Sequence, residues 1–146
     1  MASRRKGRIL AFQALYSWDA HYSQTKDTSI PEGLLDFSWI RNGVPLNEEM
    51  TAFSRLLVTG TVENISAVDN QIQKHLQNWE ISRLNRVDLA VLRMSVYTLM
   101  FQTDMPPAIV IDEAVDISKE FGADDSYRFV NGVLDSIRKT LESAPK

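Results

Sequence analysis

The sequence predicts an all-α fold: one compact domain of six or seven helices spanning residues 1–146. Three observations predict it. Apolar residues recur at spacings of three and four in four stretches: Ile65, Val68, Ile72 and Leu76; Leu89, Leu92, Val96 and Leu99; Val110, Ala114, Ile117 and Phe121; Val130, Leu134, Ile137 and Leu141. Each set lays one apolar stripe along a helix. Sustained strand-type alternation is missing, and the best strand candidate, "AIVID" at Ala108–Asp112, runs into a helical pattern. The length, 146 residues, suits one domain that buries a core without covalent staples.

The elements follow in order. A first helix carries Tyr16 and Trp18, with Trp18 facing the core. Pro31 opens a short helix near Glu32–Ile40, which Asn42-Gly43 and Pro45 end. Asn47 caps the next helix, with Glu48 and Glu49 set against the positive end of its dipole. Gly60, between Thr59 and Thr61, marks a bend or junction. Trp79 to Asn85 links two helices. Pro106-Pro107 separates the next two, because a proline disfavours helical backbone in the residue before it. Gly122 suits the left-handed position after a helix end. Asp124, Asp125 or Ser126 caps the last helix, and local pattern does not choose among them. Gly132 lies inside that helix, since Val130, Leu134, Ile137 and Leu141 keep phase across it. A mid-helix glycine costs about 1 kcal/mol relative to alanine. Close approach of another helix is the expected compensation, with Asn131 bonded to a neighbour.

Composition narrows the chemistry. There is no cysteine, which excludes disulfides, thiolate metal sites and cysteine nucleophiles and fits a cytoplasmic setting. No apolar run approaches a bilayer span, and "ILAFQALYSW" lacks the pattern of a secretory signal. His21 and His75 are not in metal-binding spacing. No glycine-rich phosphate loop follows a strand. The acid pairs Glu48-Glu49 and Asp112-Glu113 fall in first helical turns, where dipole and solubility roles suffice. No catalytic residue, metal site or cofactor is expected.

Charge distribution points elsewhere. Net charge is −3, but the first eight residues carry +4 through Arg4, Arg5, Lys6 and Arg8, leaving −7 for the rest. Such asymmetry fits an arm that contacts phosphates, and equally a solvated tail. Tyr127, Arg128 and Phe129 cluster at the start of the last helix. Single-stranded RNA is read by aromatics that stack on bases while cations hold the backbone. Tyr16 and Phe129 are candidates for either stacking or core.

Three blocks resemble the bacterial transcription antitermination factor family of Nus factor B. They are "SRRKGRILAFQALYSWD" (Ser3–Asp19), "RVDLAVLRMSVYTLMF" (Arg86–Phe101) and "PPAIVIDEAVDISKEFGADDSYRFVNGVLDSI" (Pro106–Ile137). The likeness covers nearly the whole chain, and "FVNG" with its flanks is specific. Ser118 replaces a usual alanine. The resemblance implies two packed helical subdomains and no enzyme activity. It implies pairing with the small-subunit ribosomal protein that serves as Nus factor E, binding of single-stranded boxA RNA in nascent ribosomal transcripts, and assembly of an antitermination complex on RNA polymerase. By position, Arg4, Arg5, Lys6, Arg8, Tyr16, Asp125, Tyr127, Arg128 and Phe129 match the RNA side. Asp88 matches an acidic position on the protein-partner side, where glutamate is common. Asn131 and Gly132 are expected to be structural.

Two alternatives stay open. A similar helical domain is fused to RNA cytosine methyltransferases, although a chain ending at Lys146 leaves no room for a catalytic domain. A helical homodimer with the basic end as a tail is the other.

Overall fold

The computed structural model describes residues 2–37, 39 and 47–143. Its helices are α1 (Ala2–Thr25), α2 (Glu48–Glu63), α3 (Ile65–Lys74), α4 (Arg86–Phe101), α5 (Pro107–Phe121) and α6 (Ser126–Ser143), with a short 3-10 turn at Ile81–Arg83. Among the described residues there is no strand, and "AIVID" is helical within α5.

The arrangement follows from α4. Every residue from Asp88 to Thr98 is buried. A helix apolar on all sides must be surrounded, and α4 packs against α1, α2, α3, α5 and α6. Helices α1 and α2 pack on each other as well as on α4, as do α5 and α6, while α3 lies against α4 and touches both α2 and α6. The expected stripes form the core: Val68, Ile72, Leu92, Val96, Val130, Leu134 and Ile137 have no exposed surface. Burying such a side chain fully contributes about 1.5–3 kcal/mol. Leu99 and Leu141 are partly buried at the ends of their stripes, and Phe121 is exposed.

Local signals set several boundaries. The Asn47 Oδ1 accepts the Met50 N–H at 2.7 Å, capping α2 as its sequence requires. Asn85 does the same for α4, accepting from Val87 at 2.9 Å. Pro107 occupies the first turn of α5, where its missing N–H has no partner to lose.

Other expectations are corrected. Residues 32–37 form turns instead of a helix. Gly33 and Phe37 take φ of 89° and 58° there, which interrupts right-handed winding. Ile40, Asn42, Gly43 and Pro45 lie outside the described residues. Gly60 is no bend: it sits inside α2, and the chain turns at Asn64, whose amide donates to the Gly60 carbonyl at 2.8 Å. A Cβ on Gly60 would overlap the Tyr97 ring. Gly122 is extended, at φ −92° and ψ −178°, not left-handed. Its lack of a side chain is needed for space, since a Cβ would lie 2.8 Å from the Ser118 carbonyl and from the Ser126 Cβ. Gly132 faces open space, so among the described residues no helix packs over it, and Asn131 beside it is exposed. The close approach expected at Gly132 occurs at Gly60.

Candidate nucleic-acid interface

The basic segment forms the first two turns of α1, not a loose arm. A helix turns about 100° per residue, so its four cations diverge. Arg4 leans over the Phe53 ring of α2, with Cζ 4.3 Å from the centroid. Lys6 is exposed. Arg5 turns to α5, donating from Nε to Glu113 at 2.8 Å and from Nη2 to Asp116 at 2.7 Å. Those bonds raise its pKa further.

Arg8 is buried, which corrects its reading as a surface phosphate contact. Its Nη1 lies 3.8 Å from Glu113, and its Cζ lies 5.5 Å from the Phe53 ring centroid. Burial lowers its pKa and Glu113 opposes the change. Gly7 permits this packing: a Cβ there would come within 2.7 Å of Phe53. The Ser54 hydroxyl bonds the Gly7 carbonyl at 2.8 Å and fixes α2 in place. Glu113 is thus an ion-pair partner in the second turn of α5, not a first-turn dipole acid. Arg4 and Lys6 remain as the cations most open to a ligand.

The start of α6 forms a second cationic cluster. Arg128 donates from Nε to the Tyr127 hydroxyl at 3.0 Å. Lys119 Nζ lies 5.0 Å from the Tyr127 ring centroid, and Arg128 Cζ lies 5.6 Å from it. Both cations therefore lie within reach of the Tyr127 ring and are attracted to it. Phe129 is half-buried and packs against the core. Asp125 is exposed, and its carbonyl accepts the Phe129 N–H at 3.4 Å, which places it just before the helix. The Ser126 hydroxyl accepts the Ala123 N–H at 3.1 Å and closes the turn. Lys119 escaped the sequence reading. It lies eight residues before Tyr127, and only the turn at Gly122 brings the two together.

Tyr16 lies apart from the basic turn. It is eight residues past Arg8, about 12 Å along the helix axis. It is 48% exposed and lines a groove of 260 Å³ with Phe12, Trp39, Val87 and Phe121. The Phe12 and Phe121 rings meet at 5.2 Å. This groove adjoins the start of α4, beside Asp88.

Asp88, the acid expected on the protein-partner side, is largely buried in the free chain. It is 8% exposed, and its Oδ1 is buried without a hydrogen-bond partner. Burial pushes its pKa up, and the Ser126 hydroxyl pulls part of the way back. A carboxylate one methylene shorter than glutamate stays beneath the surface, against the first residue of α6.

Among the described residues no cluster of His, Cys, Asp or Glu could hold a metal, and no helix is long and apolar enough to cross a membrane.

The whole chain has known relatives. The NusB family profile matches residues 5–139. The transcription antitermination protein NusB of Treponema pallidum is 50% identical over 137 residues, covering 94% of this chain and 93% of that protein. The NusB structure from T. maritima superposes with a TM-score of 0.78 at 35% identity, covering 97% of this chain and 93% of that one. A chain from a crystal structure of antitermination factors NusB and NusE in complex with dsRNA gives a TM-score of 0.77 at 30% identity, covering 96% and 98%. With half its residues shared with a relative of almost the same extent, and the helical scaffold shared throughout, this chain belongs to the NusB family.

Proposed function

We propose that this chain is a transcription antitermination factor without catalytic activity. It works in the cytoplasm as one domain, paired with the ribosomal protein that serves as NusE. The pair binds single-stranded boxA RNA in nascent ribosomal transcripts and seeds an antitermination complex on RNA polymerase. The observation that carries this reading is the superposition, over nearly the entire chain, on a chain from a crystal structure of NusB and NusE in complex with dsRNA. The site's chemistry supports it: an aromatic ring near two cations at the start of α6, and the exposed Arg4 and Lys6 on α1, suit a stacked single strand.

In this reading Arg4, Lys6, Lys119, Tyr127 and Arg128 contact RNA, with Phe129 beneath them and Asp125 tempering the field. Arg5 and Arg8 anchor the first two turns of α1. Tyr16, half-exposed further along α1, also belongs to the RNA side, and Asp88 to the side of the protein partner.

The test is binding of boxA RNA against a scrambled RNA, with and without the purified ribosomal protein. Preference for boxA that strengthens with the ribosomal protein is expected. Equal binding of both RNAs in both conditions overturns the reading.

A further inference from the structure

Gly132 lies inside α6 on its solvent face, and a Cβ built there meets nothing within 4 Å. Glycine inside a helix is less favourable than alanine, because more backbone freedom is lost on folding. Among the described residues no other element comes near enough to offset that loss. The remaining physical use of a missing side chain is to admit a ligand close to the backbone.

The neighbours indicate which ligand. Residues three and four apart share a helix face. Arg128 lies one turn before Gly132, within the Lys119–Tyr127–Arg128 cluster. Asn131 is exposed, and its side chain makes no hydrogen bond among the described residues. Its amide therefore offers both donors and an acceptor. The next acid along this face, Asp135, is held by Arg138 at 2.6 Å and Lys139 at 3.3 Å, which offsets its charge. The face thus runs from two cations, past a free amide, over bare backbone, to a neutralised carboxylate. A polyanion fits it.

We propose that the sugar–phosphate backbone of single-stranded RNA crosses α6 directly over Gly132, with Arg128 on a phosphate and the Asn131 amide on an adjacent phosphate or ribose oxygen. This rests on the RNA-binding reading above and extends its path one turn along α6.

The experiment compares Gly132→Ala and Gly132→Gln with the parent, using boxA RNA titration and thermal denaturation on the same samples. Gly132→Ala should raise Tm by about 2–4 °C, as helix propensity without a clash requires, and yet weaken RNA binding. Gly132→Gln should weaken it by about tenfold or more. A more stable protein that binds RNA less well is a signature no purely structural glycine produces. If the parent binds RNA and both variants bind as tightly, the Gly132 path is wrong and the functional reading stands. If the parent binds no RNA, both fall. If Gly132→Gln impairs association with the ribosomal protein or with a second copy but spares RNA, the occupant is a protein and the proposal is overturned.

Discussion

Arg93 Nη1 lies 2.7 Å from Asp19 Oδ1, with both side chains 5% exposed, and this pair ties α4 to α1. The same guanidinium grips Asp69 of α3 through two bonds of 2.9 Å. Arg86 meets the other Asp19 oxygen at 3.1 Å. Trp18 and Tyr22, stacked at 4.4 Å, face the Arg93 guanidinium at 5.8 and 5.5 Å. Burial lowers the Arg93 pKa, but Asp69 and Asp19 more than reverse that. Two cations and two carboxylates balance, so no net charge is buried.

Breaking this clasp from one side strands its partners. Arg93→Met is expected to lower the unfolding free energy by about 3–5 kcal/mol, the usual consequence of leaving buried charge uncompensated. Urea denaturation reads this as a lower midpoint at unchanged slope. A loss under about 1 kcal/mol would mean the pair behaves like an exposed one.

Gly60→Ala should destabilise by about 1–3 kcal/mol, because its Cβ would overlap the Tyr97 ring at a helix crossing. Adding Tyr97→Leu should recover part of the loss. Additive losses in the double variant, measured by thermal melts, would place the damage elsewhere.

The cations of α1 should separate by role. Arg4→Gln with Lys6→Gln is expected to lower Tm by no more than about 2–4 °C, through loss of the Arg4 contact with Phe53, and to flatten the salt dependence of RNA binding by about 0.7 per lost phosphate contact on a log–log plot. Arg8→Gln should lower Tm, since Arg8 is buried against Phe53 and Glu113. An unchanged salt slope in the Arg4/Lys6 variant removes the phosphate role.

Asp88 should leave a pH signature. Burial raises its folded pKa above the ordinary 3.8. Its favourable contribution is therefore complete below the unfolded pKa and is lost as pH rises through the folded value. Asp88→Asn, neutral at every pH, should be more stable than the parent at neutral pH. That advantage should vanish as acid protonates the parent. Chemical denaturation across this range tests it, and a constant difference at all pH values would show that the carboxyl is not perturbed.

At the start of α6, Asp125→Asn is expected to bind RNA more tightly, because a charge beside the phosphate path is removed while asparagine remains a good residue before a helix. Phe129→Ala should weaken binding by about 1–3 kcal/mol. It should also lower stability by about half the ~3–5 kcal/mol of a fully buried ring, since Phe129 is half-buried. Weaker RNA binding by Asp125→Asn would make the acid a direct contact. Normal binding by folded Phe129→Ala would make the ring core alone.

The sequence by itself determined the helices, their buried stripes and the Asn47 cap, because spacing of three and four and capping chemistry are local properties. It also marked the chemistry at the start of α6, where the residues are adjacent in the chain. It read Gly132 as crowded, Gly60 as a bend, Gly122 as left-handed and Arg8 as exposed. Those properties depend on what lies across the fold. Arg5 meets Glu113 from 108 residues away, and Arg93 meets Asp19 from 74. Only the packing of α4 against its neighbours decided that Gly60 sits under Tyr97, that Asp88 is buried against Ser126, and that Tyr16 joins the groove beside α4, while the α5–α6 turn at Gly122 decided that Lys119 reaches Tyr127. Burial and charge pairing are set by long-range contacts, and no local spacing encodes which side chain will be found on the other side.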